Sequence, residues 1–97
     1  DGPGELQRAR TIYQQGNARL FNGDANGAEQ AYLEALKVYP GYVAGYRGLG
    51  FAYEQQGDVS KALTAFRLYL KIVPTARDAS LIRKRVEKLQ KSVRPGP

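Results

Sequence analysis

Apolar residues along the chain recur at intervals of three and four, with polar residues between them. The clearest runs contain these apolar positions: Ala28, Ala31, Tyr32, Ala35 and Leu36, and later Ala62, Ala65, Phe66, Tyr69 and Leu70. Residues at these intervals share one face of an α-helix. The whole pattern predicts five helices, over 5–22, 25–39, 42–56, 59–73 and 76–92.

The chain repeats itself after 34 residues. Aligned with itself at that offset, the segment 9–76 carries the same residue at nine pairs of positions: Gly16 and Gly50; Ala18 and Ala52; Gly23 and Gly57; Asp24 and Asp58; Ala28 and Ala62; Ala31 and Ala65; Leu36 and Leu70; Lys37 and Lys71; Pro40 and Pro74. Matches at a fixed period indicate a repeated structural unit. We therefore divide the chain into two copies, over 9–42 and 43–76.

Each copy contains a turn signal between its two predicted helices. Gly23 and Gly57 can end a helix in the left-handed conformation, and the aspartate after each glycine can cap the next helix. Pro40 and Pro74 then end the second helix of each copy, because proline lacks a backbone donor and disfavours helix in the preceding residue. Each copy is therefore predicted to be a helical hairpin.

The last predicted helix, over 76–92, differs from the repeats in its charge. Thr75 can cap it and Asp78 lies in its first turn, while lysine and arginine accumulate toward its end, so both termini suit the helix dipole. Its apolar residues form one stripe: Ala79, Ile82, Val86, Leu89 and Val93. This arrangement predicts a helix that caps the second copy and exposes its basic face to solvent.

The second copy carries a spaced motif: Tyr46-x2-Leu49-Gly50-x2-Tyr53, then Ala62-x3-Phe66, then Pro74. This motif resembles the tetratricopeptide repeat, whose signature has tryptophan at the first of these positions. The first copy departs further, since Ile12, Gln15 and Arg19 replace the aromatic, leucine and tyrosine. The resemblance covers residues 9–76, and the last helix is similar to the solvating helix that closes such arrays.

The resemblance implies an all-α fold, a right-handed superhelical stack of two helix-turn-helix hairpins plus a C-terminal capping helix. Residues 1–97 would form a single domain with flexible ends at 1–4 and 94–97. In this family the concave surface, lined by the first helix of each hairpin, binds peptide segments. Carried over by position, the groove residues are Arg10, Tyr13, Asn17, Phe21, Arg47, Phe51, Glu54, Gln55, Asp78, Arg85 and Lys88.

Within the predicted groove Phe51 has two interpretations. A large aromatic ring there either fills a gap between the hairpins or remains open to a ligand, and its charged neighbours Arg47 and Glu54 favour the open interpretation. The tyrosines Tyr39, Tyr42 and Tyr46 pose the same question at the junction between the copies. There, packing is favoured over ligand binding.

One subset of the family clamps the carboxylate terminus of chaperones with lysine and asparagine at set positions. Asn17 occupies one such position in this chain. The others are occupied by Tyr13, Gly48, Asp78 and Ile82. Because the required residue types are absent, chaperone-tail binding is not expected.

The composition excludes most common types of catalytic site. The chain has no cysteine and no histidine, which removes disulfides, thiolate metal sites and histidine-based acid–base catalysis. The glycines Gly45, Gly48 and Gly50 do not follow a phosphate-loop order, so close helix packing explains them better. The candidate carboxylate pairs, Glu29 with Glu34 and Asp24 with Asp58, are interpreted as exposed residues and helix caps. We expect no enzyme activity, no cofactor and no metal.

The formal charge of +6 is concentrated at the carboxyl end, where residues 77–97 hold seven basic residues against two acids. The basic patch comprises Arg83, Lys84, Arg85, Lys88 and Lys91. A solvated capping face is favoured over a nucleic-acid site, because no nucleic-acid motif accompanies the patch. Binding of an acidic protein partner is a third interpretation, intermediate between these two. A membrane-surface helix is disfavoured because Ala, Ile and Val dominate the apolar stripe.

Two functions of different classes remain. The favoured one is a non-catalytic adaptor or scaffold module that binds a peptide segment, within a larger protein similar to bacterial signalling, pilus or secretion proteins. The alternative is a self-assembly unit, since two repeats are fewer than the three usually needed for independent stability. The molecular mass in solution distinguishes monomer from homodimer. The compartment is left open, with the cytoplasm favoured over the periplasm.

Overall fold

The computed structural model describes residues 3–93, and these residues are all-helical without any strand. It contains five helices: α1 (Pro3–Phe21), α2 (Ala25–Val38), α3 (Ala44–Gln56), α4 (Val59–Ile72) and α5 (Ala79–Val93). The all-α prediction is confirmed. In chain order each helix packs on the next, and α1 also packs beside α3. The helices therefore form two hairpins, α1–α2 and α3–α4, followed by α5.

The turns inside the two hairpins have the predicted chemistry. Gly23 and Gly57 have φ angles of 83° and 85°, in the left-handed region that glycine adopts without strain. The Asp24 carboxylate accepts a hydrogen bond from the Gly27 backbone N–H at 2.9 Å, and Asp58 caps α4 in the same way. Identical local chemistry therefore starts the second helix of each hairpin.

Three helix starts differ from the sequence prediction, and one of them is α3, which begins at Ala44 rather than at 42. α1 begins at Pro3 rather than near residue 5, so residues 3 and 4 of the predicted flexible end are helical. α5 begins at Ala79 rather than at 76, and Thr75 lies in the preceding turn instead of capping the helix. The backbone oxygen of Asp78 accepts the bond from the Ile82 N–H at 2.9 Å. The rest of the predicted flexible ends, 1–2 and 94–97, lies outside the described residues. The single-domain division stays a prediction.

Two aromatic side chains, 34 residues apart, form the centres of the core. Tyr32 and Phe66 are both fully buried. The Tyr32 ring lies against Gly48, where an added Cβ would come within 2.6 Å of the ring. The Phe66 ring lies against Gly50 in the same way. The glycines of α3 therefore allow the backbone to approach two buried rings, which accounts for them as packing positions.

The fifth helix lies farther from α3 than α3 lies from α1. α1 and α3 pack side by side, whereas no Cα atom of α3 (Ala44–Gln56) comes within 8 Å of one of α5 (Ala79–Val93). At the 34-residue offset, buried Ile82 of α5 corresponds to Gly48 of α3. Gly48 lies against Tyr32 of α2, whereas Ile82 packs in the core cluster that contains Phe66 of α4. Because a branched side chain occupies more volume than a glycine, α5 cannot approach α4 as closely as α3 approaches α2. An opening remains between α3 and α5.

Candidate functional site

Two adjoining cavities lie on the side of the molecule formed by α1, α3 and α5. The first, of about 280 Å³, lies between α3 and α5 and is lined by Phe51, Leu81, Lys84, Arg85 and Lys88. The second, of about 340 Å³, extends toward α1 and is lined by Leu20, Phe51, Glu54, Gln55 and Arg85. We call the two together the α3–α5 cleft. The cleft thus brings together five of the predicted groove residues: Phe51, Glu54, Gln55, Arg85 and Lys88.

Phe51 combines both interpretations proposed for it. Its ring packs edge-on against the buried Phe66 ring, with centroids 5.0 Å apart and planes at 79°. The side chain is only partly buried, and its remaining surface lines both cavities. Phe51 therefore belongs to the edge of the core and to the floor of the cleft.

An ion pair crosses the cleft from α3 to α5. The Arg85 Nε atom lies 3.0 Å from the Glu54 Oε1 atom, which is withdrawn from solvent and accepts no hydrogen bond from the described residues. Lys84 and Lys88 line the same cleft, and within residues 3–93 neither ammonium group has an ion-pair or hydrogen-bond partner. The charge of Arg85 is therefore balanced, and those of the two lysines are not.

Three more predicted groove residues form a polar network beside the cleft. Arg47 donates hydrogen bonds to the Tyr13 hydroxyl and, at 2.8 Å, to the Asp78 carboxylate. The Tyr69 hydroxyl donates to the other oxygen of Asp78 at 2.7 Å. The network ties α1, α3 and α4 to the turn before α5. Sequence reasoning placed Arg47 on the open groove surface, but its guanidinium is largely engaged within the chain.

The network changes the ionisation of its charged members. Burial alone would raise the pKa of Asp78, but hydrogen bonds from Tyr69 and Arg47 outweigh it and lower that pKa below 3.8. Burial would also lower the pKa of Arg47, yet its hydrogen bonds to Tyr13 and Asp78 raise it above the ordinary value. Both groups are therefore held in their charged forms.

We expect Arg47→Ala to lower the free energy of unfolding by about 1 to 2 kcal/mol, because the variant loses charge-assisted hydrogen bonds that join three helices. From sequence alone, this substitution is expected to change stability little. Chemical denaturation at neutral pH measures the loss. Arg67→Ala is the matched control, since Arg67 is exposed on α4.

Acid should reduce the difference in the free energy of unfolding between wild type and Arg47→Ala. A carboxylate whose pKa is lowered by folding adds stability above its unfolded pKa, and that stability is lost as the pH falls through the folded pKa. The gap should therefore narrow below about pH 4. Equal stabilities of Arg47→Ala and Arg67→Ala at neutral pH would show that the network contributes nothing.

The tyrosines around the junction pack against one another. The Tyr13 ring lies 5.5 Å from the Tyr32 ring and 5.3 Å from the Tyr42 ring. The Tyr32 hydroxyl donates to the Asn17 side-chain oxygen at 2.6 Å. Burial, with a smaller effect of Tyr13 and an opposing one of Arg47, raises the pKa of Tyr32 to about 12. Tyr13 and Asn17 therefore support the core from its edge.

Two of the predicted groove residues lie in neither the cleft nor the packing described above, and three cleft residues were absent from the predicted groove, of which Lys84 had been assigned to the basic patch. Arg10 donates to Gln7 at 3.4 Å on the exposed side of α1, and Phe21 is 91% exposed at the end of that helix. Leu20 and Leu81 line the cleft without having been predicted. The missed signal was helical spacing: Leu20 lies seven residues after Tyr13, and Leu81 lies four before Arg85.

Two of the five residues in the predicted basic patch are engaged within the chain. Arg83 donates to the Pro74 backbone oxygen at 2.6 Å, and Arg85 faces Glu54. Lys84 and Lys88 line the cleft, whereas Lys91 is exposed beyond it. Among the described residues, no helix has the length and apolarity needed to cross a bilayer. Arg83 and Arg85 are therefore engaged within the chain, while Lys84, Lys88 and Lys91 share one face of α5 by helical spacing.

Three of the four carboxylates considered for catalysis, those of Asp24, Asp58 and Glu29, have structural contacts. Asp24 and Asp58 cap α2 and α4. Glu29 accepts a hydrogen bond from the Gln56 side chain at 2.8 Å, across the two hairpins. Within residues 3–93, no group of three or more histidine, cysteine, aspartate or glutamate side chains is placed to hold a metal ion. These contacts assign the acidic residues to caps and to the interface between the hairpins.

Comparison with curated proteins finds no match for this chain. The family described as Tetratricopeptide repeat matches residues 13–77, which run from the middle of α1 to the turn before α5. Repeats of this family generally mediate protein–protein interaction and are typically non-catalytic. Two helical hairpins with matching glycine turns, aspartate caps and buried aromatic centres agree with that match, and the chain belongs to the tetratricopeptide repeat family.

Proposed function

We propose that this chain is a non-catalytic adaptor module that binds a peptide segment of another protein in the α3–α5 cleft. The observation that carries the proposal is Phe51, a partly buried ring that rests on Phe66 and lines both cavities. An anchored aromatic ring loses little conformational freedom when it contacts a ligand. Rigid aromatic rings of this kind are common anchors at interfaces.

The chemistry around Phe51 also suits a peptide. Leu20 and Leu81 add apolar surface, while Gln55 and the Glu54–Arg85 ion pair provide polar groups at the edge. An apolar centre with a polar rim is the usual composition of a protein interface. The predicted setting, a larger bacterial signalling, pilus or secretion protein, remains part of this proposal.

Self-assembly by end-to-end stacking of copies is less well supported. Gln15 and Arg19 are exposed on the outer side of the first hairpin, at the positions where the second hairpin packs Leu49 and Tyr53. The outer side of α5 exposes further polar residues: Arg83, Glu87 and Gln90. Burying such polar side chains between copies would cost free energy, so the two ends of the stack are better suited to contact with solvent than with a second copy.

A selection from a random displayed-peptide library tests the proposal. We expect the protein to enrich a consistent set of peptides, and Phe51→Ala to weaken their binding by about 1 to 2 kcal/mol, as the loss of an interface anchor does. Fluorescence anisotropy with a selected peptide measures the loss. Lys71→Ala is the matched control, because Lys71 is exposed on α4, away from the cleft.

Because Phe51 also contacts Phe66, each variant is first checked by circular dichroism and denaturation. Gln55→Ala provides a second cleft variant, since Gln55 is exposed and makes one long hydrogen bond of 3.3 Å to the Leu20 backbone oxygen. Failure to enrich any peptide, or equal binding by Phe51→Ala and wild type, would reject the cleft as a peptide site.

A further inference from the structure

Resting on the proposed function, we infer that the α3–α5 cleft selects an extended acidic segment in which two carboxylates, two residues apart, flank one apolar residue. The carboxylates face Lys84 and Lys88 on α5, and the apolar side chain faces Phe51 on α3. The inference names the chemistry of the partner from the charges and spacing of the cleft.

The first step is the unbalanced charge of the cleft. Glu54 and Arg85 form an ion pair, and Arg47 beside the cleft is paired with Asp78. Lys84 and Lys88 are left without any partner among residues 3–93. A ligand that supplies two negative charges matches this arrangement, and a basic ligand is repelled by it.

The second step is distance. Lys84 and Lys88 are four residues apart on one helix, which separates their backbone positions by about 6 Å along the axis. In an extended peptide, alternate residues point to the same side and lie about 6.5 to 7 Å apart. Carboxylates at alternate positions can therefore meet both lysines, and the residue between them points the opposite way.

The third step is the apolar surface on the opposite wall. The intervening side chain of such a segment would point toward α3, where the exposed part of the Phe51 ring lies. Leu81, which is 63% exposed, extends this surface beside the lysines. The cavity between these walls measures about 280 Å³, enough for one side chain of leucine size with its backbone.

Three labelled synthetic peptides of equal length test the inference by fluorescence anisotropy. Their centres read glutamate, leucine, glutamate; glutamine, leucine, glutamine; and glutamate, serine, glutamate. We expect the first peptide to bind about threefold to tenfold more tightly than either of the others, with the advantage over the glutamine peptide decreasing as salt is added.

The lysines are tested by a double variant, Lys84→Gln with Lys88→Gln, which should abolish the preference for glutamate over glutamine. Lys71→Gln is the matched control, because Lys71 is an exposed lysine on α4, away from the cleft. A preference that survives the double variant would overturn the inference, as would equal binding of the glutamate and glutamine peptides.

The outcome also separates this inference from the proposed function. If the library selection enriches peptides whose binding needs Phe51 but which lack paired acids, the inference fails and the adaptor function stands. If no peptide is enriched at all, both fail. A single-stranded oligonucleotide is added as a competitor. If it displaces the labelled acidic peptide at a lower concentration than the unlabelled peptide does, the lysines bind nucleic acid and the inference is overturned.

Discussion

Phe66→Ala should lower the free energy of unfolding by about 3 to 5 kcal/mol, the largest effect expected for any single truncation in this chain. The Phe66 side chain is fully buried and belongs to the core cluster that includes Ile82 of α5. Removing the ring leaves a cavity between α3, α4 and α5 that the helices can only partly close. Chemical denaturation followed by circular dichroism measures the change.

Phe21→Ala is the matched control for Phe66→Ala, since it makes the same truncation at a position that is 91% exposed. Its effect should stay within about 0.5 kcal/mol. A loss below about 1 kcal/mol for Phe66→Ala would mean that the ring is not a packing centre and that the repeat alignment fails there.

Gly50→Ala should be the second most disruptive change, with a net loss of about 2 kcal/mol, the upper end of the usual overpacking cost less the gain in helix propensity. An alanine Cβ at this position would overlap the ring of Phe66, which is fully buried and cannot move aside. Overpacking a rigid core usually costs about 1 to 3 kcal/mol and occasionally more. The overlap therefore outweighs the gain of about 1 kcal/mol that alanine normally brings to a helix.

Gly4→Ala supplies the control for Gly50→Ala, because Gly4 lies in α1 with open space around its Cα. This substitution should be neutral or slightly stabilising. If Gly50→Ala were as stable as Gly4→Ala, the close approach of α3 to Phe66 would be wrong. A double variant with Phe66→Leu should recover part of the loss, since the smaller side chain gives the methyl group space.

The hairpins could be predicted because their signals are local. Gly23 and Asp24 act on the backbone within one turn, and the same chemistry recurs after 34 residues at Gly57 and Asp58. The start of α5 was missed for the opposite reason. Asp78 bonds to Arg47 and Tyr69 rather than entering the helix, and those partners are distant in the chain.

The candidate site was predicted only in part. The resemblance to the family, carried over by position, identified Phe51, Glu54 and Arg85 as groove residues, and all three line the cleft. Neither the resemblance nor helical spacing could show that Arg47 would be engaged within the chain. They also could not show which basic residues of α5 would be engaged within the chain.

The sequence by itself determined the five helices, the two hairpins and the burial of their aromatic centres, since these follow from apolar periodicity, turn residues and a repeated motif. Only the tertiary structure decided where α5 lies. Ile82 stands where Gly48 lets α3 approach Tyr32 of α2, so α5 is held farther from α4. No Cα atom of α5 comes within 8 Å of one of α3, and the cleft lies between these two helices. This separation depends on side-chain volumes at contacts between helices, and periodicity along the chain carries no information about it.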